Sequence, residues 1–108
     1  MNERIIGSFY LELNDGNLTG HYTNLTISVT LEENALRRGE NTNEFIGDYN
    51  SSWAEIIRGT DRAILSIGLL PGSESKFTLI WHYKGRIYFR GEGFLIDGKK
   101  ILIGHYTN

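Results

Sequence analysis

Aromatic side chains that also carry a hydrogen-bonding group are the residues of this sequence best suited to recognition chemistry. Flat rings with polar handles are typical of the lining of small-molecule pockets. The same rings can also simply fill a narrow barrel, so pocket lining and core packing both remain open. The set, which includes one phenylalanine, comprises Tyr10, Tyr22, Tyr49, Trp53, Trp81, Tyr83, Tyr88, Phe94 and Tyr106.

Groups for acid–base, nucleophilic or metal chemistry are sparse. The chain has three histidines and no cysteine, and it contains no His-x-His, no His-Glu-x-x-His and no Gly-x-Ser-x-Gly. Glu12 and Glu92 are candidates for paired carboxylates on neighbouring strands, but solvent-facing positions opposite Arg62 or Arg90 explain them better. We therefore predict no catalytic residue, no metal site and no cofactor, and retain a barrel enzyme as the weakest alternative.

The composition is that of an ordinary globular chain. Of 108 residues, 40% are hydrophobic and 22% are charged, and the formal net charge is −2. This length corresponds to one domain, residues 1–108, and the lack of a basic excess argues against nucleic-acid binding. The apolar runs are too short for a membrane-spanning helix. No signal-peptide pattern is visible, so a cytoplasmic location is favoured, although a processed secreted chain would look the same.

Alternation of apolar and polar residues dominates the sequence. Leu25, Ile27 and Val29, for example, alternate with Thr26 and Ser28, which is the period-2 pattern of a half-buried strand. One stretch, residues 32–38, is instead helix-like for a turn or two and is ended by the glycine that follows it. The pattern predicts eight strands, at residues 5–13, 18–31 (bent or split near residue 24), 44–50, 53–58, 62–70, 76–84, 86–96 and 100–107.

Short turns connect these strands. Three dipeptides offer the positive backbone φ that two-residue hairpins need. They are Asp15-Gly16, Lys84-Gly85 and Asp97-Gly98. Short connections favour antiparallel neighbours, because a parallel crossover needs about a dozen residues or more. The predicted fold is therefore an all-β, eight-stranded antiparallel up-and-down β-barrel, with a two-sheet sandwich as the alternative.

One pentapeptide occurs twice. Gly-His-Tyr-Thr-Asn occupies residues 20–24 and again residues 104–108, and a looser copy, Gly-Asp-Tyr-Asn, occupies residues 47–50. In both identical copies the histidine alternates with the tyrosine, so inward tyrosines imply outward histidines. The tyrosines either cover the barrel rim or surround one mouth as ligand contacts, and we retain both interpretations.

Several of these segments resemble avidin and streptavidin in order and spacing. Residues 7–24 combine Gly-Ser-Phe, an apolar strand, an Asp-Gly turn and Leu-Thr-Gly-His-Tyr, similar to the opening hairpin of that family. Gly-Asp-Tyr-Asn-Ser at 47–51 resembles its Gly-x-Tyr-Asp-Ser segment, and Phe-Thr-Leu-Ile-Trp at 77–81 resembles its Trp-x-x-x-Trp strand. The closing Leu-Ile-Gly-His-Tyr-Thr is similar to Leu-Val-Gly-His-Asp-Thr. The resemblance implies an avidin-like or broader lipocalin-type (calycin) barrel that binds a small ligand.

The resemblance also implies which residues would contact a ligand. Ser8 and Tyr22 match hydroxyls that bond a ureido oxygen in the family, and Trp81 matches one wall of its aromatic box. Phe94 replaces a tryptophan, and Tyr106 replaces the aspartate that receives a ureido N–H, so we expect no strong binding of biotin. The predicted ligand-binding residues, all expected inside one end of the barrel, are Ser8, Tyr22, Asn24, Tyr49, Trp81, Phe94 and Tyr106.

The leading functional prediction is a non-enzymatic barrel that binds a small molecule. The alternative is a structural or protein-interaction domain whose barrel interior is filled. A homo-oligomer is also expected, because inward Phe94 and Tyr106 would turn their apolar neighbours outward on adjacent strands. The resemblance implies subunit packing through the same two closing strands. The predicted interface consists of Leu95, Ile101, Ile103 and His105.

Overall fold

Eight antiparallel strands make up the computed structural model, which describes residues 4–56, 59–96, 98 and 100–108. Each strand pairs with the next, and the last pairs back with the first, so the sheet closes into a barrel. The predicted all-β up-and-down barrel is therefore confirmed, and the sandwich alternative is wrong. The strands are β1 (Ile6–Asn14), β2 (Asn17–Asn24), β3 (Leu31–Arg37), β4 (Gly47–Glu55), β5 (Gly59–Leu69), β6 (Lys76–Tyr83), β7 (Arg86–Ile96) and β8 (Ile101–Thr107).

Two-residue turns set the register of the hairpins, as the sequence predicts. Asp15 and Gly16 have φ values of 49° and 81°, and Lys84 and Gly85 have φ values of 51° and 79°. Positive φ at both central residues matches the right-handed twist of the flanking strands. Gly98 also has a positive φ, of 66°, whereas Asp97 lies outside the described residues.

The predicted strand 18–31, expected to bend or split near residue 24, ends at Asn24, and the next strand begins only at Leu31. The Asn24 side-chain oxygen accepts hydrogen bonds from the Thr26 backbone N–H at 2.9 Å and from the Thr26 hydroxyl at 2.6 Å. Such an Asx turn replaces the hydrogen bonds that the next strand position would make. Residues 25–30 therefore form a loop in which Leu25 is 85% exposed, despite the alternating pattern.

The helix prediction for residues 32–38 is wrong, because this stretch belongs to β3. Glu33 and Ala35 are buried, whereas the residues that alternate with them, Glu32, Asn34 and Leu36, are exposed. The predicted strands 44–50 and 53–58 are one strand, β4, with residues 57 and 58 outside the described part. Because β3 was not predicted as a strand and β4 was predicted as two, the predicted number of strands still equals the observed eight.

Within the described residues no helix is long and apolar enough to cross a membrane.

One half of the barrel, which we call the closed half, is packed solid. Its end carries the β1–β2 turn and the loop between β3 and β4. The six largest fully buried side chains all belong to its packing. They are Leu11, Leu18, Tyr49, Leu65, Leu79 and Leu102. Leucine side chains of this kind contribute about 1.5–3 kcal/mol each when fully buried, so this half supplies much of the hydrophobic stabilisation.

The guanidinium of Arg37 caps the closed half. It donates to the backbone oxygens of Gly16 at 2.8 Å and Ile46 at 3.1 Å, and to that of Glu44. It also donates to the Tyr49 hydroxyl at 2.6 Å and lies 4.7 Å from the centre of that ring. These contacts tie the β1–β2 turn to the β3–β4 loop, and they block this end of the barrel.

Candidate functional site

The opposite half, which we call the open half, contains a cavity of about 270 Å³ that opens at the barrel end. One water in the liquid takes up about 30 Å³, so the space corresponds to roughly nine waters. Its aliphatic lining residues are Ile5, Ile27, Leu31 and Ile56, and its polar ones are Asn24, Glu33 and Glu55. The aromatic lining consists of Phe9, Tyr22, Trp53, Trp81, Phe89 and Tyr106.

The floor of the cavity carries a buried carboxyl group, that of Glu33. The residue is only 4% exposed, and β3 directs it inward between Leu31 and Ala35. Its Oε2 accepts hydrogen bonds from the Ser51 hydroxyl at 2.6 Å and from the Trp81 indole N–H at 2.7 Å. Burial raises the pKa of Glu33 above its ordinary value, and the two hydrogen bonds offset part of that effect.

The two identical pentapeptides place their tyrosines together. They lie in β2 and β8, the two strands that flank β1, and both tyrosines point inward. The ring centres of Tyr22 and Tyr106 are 6.2 Å apart with an interplanar angle of 75°. Tyr22 donates to the backbone oxygen of Ala54, and Tyr106 accepts from the Asn24 amide at 3.1 Å. Burial raises the pKa of both hydroxyls, which keeps them protonated.

Trp81 joins this cluster from β6. It is 4% exposed and meets Phe9 edge to face at 5.7 Å and Tyr106 at 6.2 Å between ring centres. A register shift between Trp81 and His82 interrupts the pairing of β6 with β7 directly beside it. Such bulges re-aim side chains at barrel rims. On the neighbouring strand, Phe89 meets Tyr106 edge to face at 5.4 Å.

Four of the seven predicted ligand-binding residues come together at this cavity. They are Tyr22, Asn24, Trp81 and Tyr106. Tyr49 faces inward as predicted, but it lies in the closed half, where its hydroxyl donates to the backbone oxygen of Phe45 at 2.7 Å. Burial raises its pKa to about 12, despite the nearby Arg37. The prediction of an interior Ser8 is wrong, because that residue is exposed on the outer face opposite His105.

The predicted inward orientation of Phe94 is also wrong, since its side chain is 53% exposed. In β7 the inner face is occupied by Gly91 and Gly93, which leaves Phe94 outside. The glycines are required there because β7 and β8 approach closely. A Cβ at Gly93 would lie 2.5 Å from the backbone oxygen of Ile103, and one at Gly104 would lie 2.0 Å from that of Glu92.

The predicted interface also changes, because the side chains of β7 face the opposite way from the prediction. Leu95 packs inward against the core, so it does not belong to the outer surface. Ile101, Ile103 and His105 do lie outside, on the face opposite Leu102 and Tyr106. Phe94 takes the place of Leu95 on this surface, because it pairs directly with Ile103.

Sequence reasoning missed several residues of the cavity. Glu33, Trp53, Glu55 and Phe89 line the cavity but were not among the predicted site residues, although Trp53 belonged to the aromatic set. Ser51, which donates to Glu33, was not predicted either. The available signal for Glu33 was the alternation of residues 31–37, which places Leu, Glu, Ala and Arg on one face. The helix interpretation of that stretch concealed it.

The histidines lie away from the cavity. His21 shares a hydrogen bond of 2.7 Å with the Tyr10 hydroxyl on the outer face, and His82 shares one of 2.9 Å with Ser66. Glu92, predicted to pair with arginine, instead forms an ion pair of 2.8 Å with Lys76. In the described ranges no three histidine, aspartate or glutamate side chains are grouped so that they could hold a metal ion.

Comparisons with known proteins give no match for this chain: no protein family, no curated protein and no solved structure corresponds to it. The resemblance to avidin and streptavidin therefore stays an expectation from the motifs.

Proposed function

We propose that this protein binds a small, largely apolar molecule inside the open half of its barrel and catalyses no reaction on it. The single observation that carries the proposal is the contrast between the two halves. One end of the barrel is packed with leucine and capped by Arg37, whereas the other end encloses about 270 Å³ lined by six aromatic rings. An eight-stranded barrel that is not filled can hold one small ligand.

Buried polar groups support this proposal. Small-molecule sites combine an apolar wall with a few polar atoms that fix the orientation of the ligand. Here the wall is aromatic, and the polar atoms belong to Glu33, Asn24 and the two tyrosines. A domain that served only as a filled scaffold would gain nothing from a buried carboxyl, which costs free energy unless it is fully satisfied.

Tryptophan fluorescence is a direct test, because the only two tryptophans, Trp53 and Trp81, both line the cavity. 2-Phenylethanol is a suitable first probe, since its nine non-hydrogen atoms match roughly nine waters of space. We expect it to quench or shift the emission with a Kd at or below about 1 mM, which is roughly 0.5 kcal/mol per atom and well inside the ceiling for small ligands.

A matched pair of variants locates the binding. Ile56 lines the cavity mouth and is exposed, so Ile56→Trp crowds the opening without disturbing the core. Leu69 is similarly exposed at the end of β5 in the closed half, which makes Leu69→Trp the control. Calorimetric titration should show weaker binding only in the first variant. Equal binding by both variants, or no binding by the wild type, would contradict the proposal.

We also propose that the protein self-associates through the outer face of β7 and β8. Phe94 pairs with Ile103, and Ile96 pairs with Ile101, so four apolar side chains are contiguous on that face. Phe94 and Ile96 are 53% and 39% exposed. An apolar surface of this kind is stabilised when a second copy covers it, and a two-fold axis lets each patch meet its twin.

A further inference from the structure

We propose that the ligand of the open half is a small organic cation whose charged nitrogen is held by Glu33 while its apolar body packs against the aromatic rings. This inference depends on the proposed function and specifies the chemical class of the ligand. It is based on the charge of the lining. Among the described residues that line the cavity there are two carboxyl groups, Glu33 and Glu55, and no lysine, arginine or histidine.

The Glu33 carboxyl has one oxygen available for a ligand. Both of its protein donors, Ser51 and Trp81, bond to Oε2. Throughout the described part of the chain, every fully occluded side-chain nitrogen or oxygen has a hydrogen-bond partner. Oε1 has no partner among the described residues, so this atom must keep some open surface. Because Glu33 lines the cavity, that surface faces the cavity. The floor of the cavity thus presents an acceptor that is already oriented by two hydrogen bonds.

The walls suit a positive charge as well. A cation within about 6 Å of an aromatic ring centre is attracted by the negative face of the ring. Trp53 meets Phe89, and Phe89 meets Tyr106, with interplanar angles of 79° and 88°. All six aromatic residues line the cavity, so a cation bound inside it lies close to several rings. At the mouth the Trp53 indole N–H donates to Glu55 at 3.1 Å, which fixes the orientation of that ring beside the opening.

Other ligand classes fit less well. An anion would meet the Glu33 carboxyl, with no cationic side chain among the described lining residues to offset the repulsion between like charges. A neutral molecule with a hydroxyl group can donate to Glu33 Oε1, but it gains no charge–charge attraction. The neutral class is therefore the closest competitor, and the experiment has to separate it from the cation.

Three probes of nearly equal shape make that separation: 2-phenylethylamine, 2-phenylethanol and phenylacetate. They share a phenyl ring and a two-carbon chain but end in a cation, a neutral hydroxyl and an anion. Titrations at about pH 8 keep the alkyl amine charged, and its positive charge beside Glu33 favours the ionised carboxylate against the burial that raises the pKa of Glu33. We expect wild-type protein to bind the amine at least about tenfold more tightly than the alcohol, which corresponds to 1.4 kcal/mol, and to bind phenylacetate most weakly.

Two variants assign the preference to one carboxyl. Glu33→Gln keeps an oxygen for Ser51 and Trp81 but removes the charge, so it should bind the amine and the alcohol within about twofold of each other. Glu32→Gln is the matched control, because Glu32 is the adjacent residue, is exposed on the outside and changes the net charge equally. It should keep the wild-type preference.

The outcomes distinguish the two proposals. If wild-type protein binds the alcohol as tightly as the amine, the cation inference is wrong while the proposed function stands. A preference for the amine that survives in Glu33→Gln would also overturn the inference. If none of the three probes binds, the proposed function falls and the cation inference falls with it. The ranking on wild-type protein requires no variant to fold.

Discussion

The close approach of β7 and β8 sets the position of Tyr106 at the cavity. Replacing Gly104 by alanine tests that approach. Gly104 lies directly opposite Gly93 in the paired strands. An added Cβ would lie 2.0 Å from the backbone oxygen of Glu92, far below the 3.4 Å at which ordinary contact begins. The obstacle is backbone rather than a flexible side chain, so the strands themselves must separate.

The expected cost combines two opposing effects. Forcing an extra methyl group into a filled space typically lowers the free energy of unfolding by about 1–3 kcal/mol. Because the obstacle here is rigid backbone, we expect a loss of about 3 kcal/mol. Alanine also restricts the unfolded chain, which returns about 0.4–1 kcal/mol. We therefore expect Gly104→Ala to lower the free energy of unfolding by about 2–2.5 kcal/mol.

Gly68→Ala in β5 is the matched control. The nearest atom to an added Cβ there is the Thr78 hydroxyl at 4.0 Å, so only the unfolded-state effect remains. This variant should be unchanged or up to about 1 kcal/mol more stable. Urea denaturation should show a difference of about 3 kcal/mol between the two variants, with similar m-values. A difference below about 0.5 kcal/mol would refute the close approach of the two strands.

Three further predictions concern other parts of the barrel. Because burial raises the pKa of Glu33 in the folded state, the unfolded state loses its proton first, and stability falls as pH rises through the interval between the two values. Urea denaturation from about pH 4 to pH 8 should show this loss in the wild type but not in Glu33→Gln, and parallel curves would contradict it. Arg37→Met should lower the free energy of unfolding by about 2–4 kcal/mol, since it removes the hydrogen bonds that cap the closed half. The control Arg38→Met, at an exposed position, should change it by less than about 0.5 kcal/mol. Sedimentation at high micromolar concentration should show an oligomer for the wild type and a monomer for Ile103→Glu. The control Leu36→Glu, at an exposed position of β3 away from the proposed interface, should stay oligomeric, and a monomeric wild type would rule out self-association.

The barrel could be predicted because its signals are local. Alternation shows which residues share a face, and dipeptides such as Asp15-Gly16 mark the hairpins without reference to the rest of the chain. The errors arose where a local pattern competes with another effect. Residues 25–30 alternate like a strand, but the Asn24 side chain ends the ladder before them. At Phe94 the larger residue faces outward, because Gly93 is needed where β8 comes close.

The location of the cavity could not be read from the same signals. Tyr49 and Trp53 share the inner face of β4, and alternation treats them alike. They are four residues apart, about 13 Å along a strand, so one fills the closed half and the other lines the cavity. Alternation reports the direction of a side chain but not its depth along the barrel axis. The depth depends on the stagger of all eight strands, which is a property of the closed sheet.

Because Arg37 closes one end of the barrel, a molecule can reach the cavity only through the other end. This fixes the order in which the parts of the molecule enter. Whatever group reaches Glu33 must go in first, and the rest of the molecule must follow it toward the loop at residues 25–30. Only the terminus of a ligand therefore has to match the cavity, and a longer tail can trail into solvent. For the proposed ligand, the cavity volume therefore limits the part that enters the barrel and not a tail that stays outside it. A dye or a resin linker belongs on the trailing end of any probe.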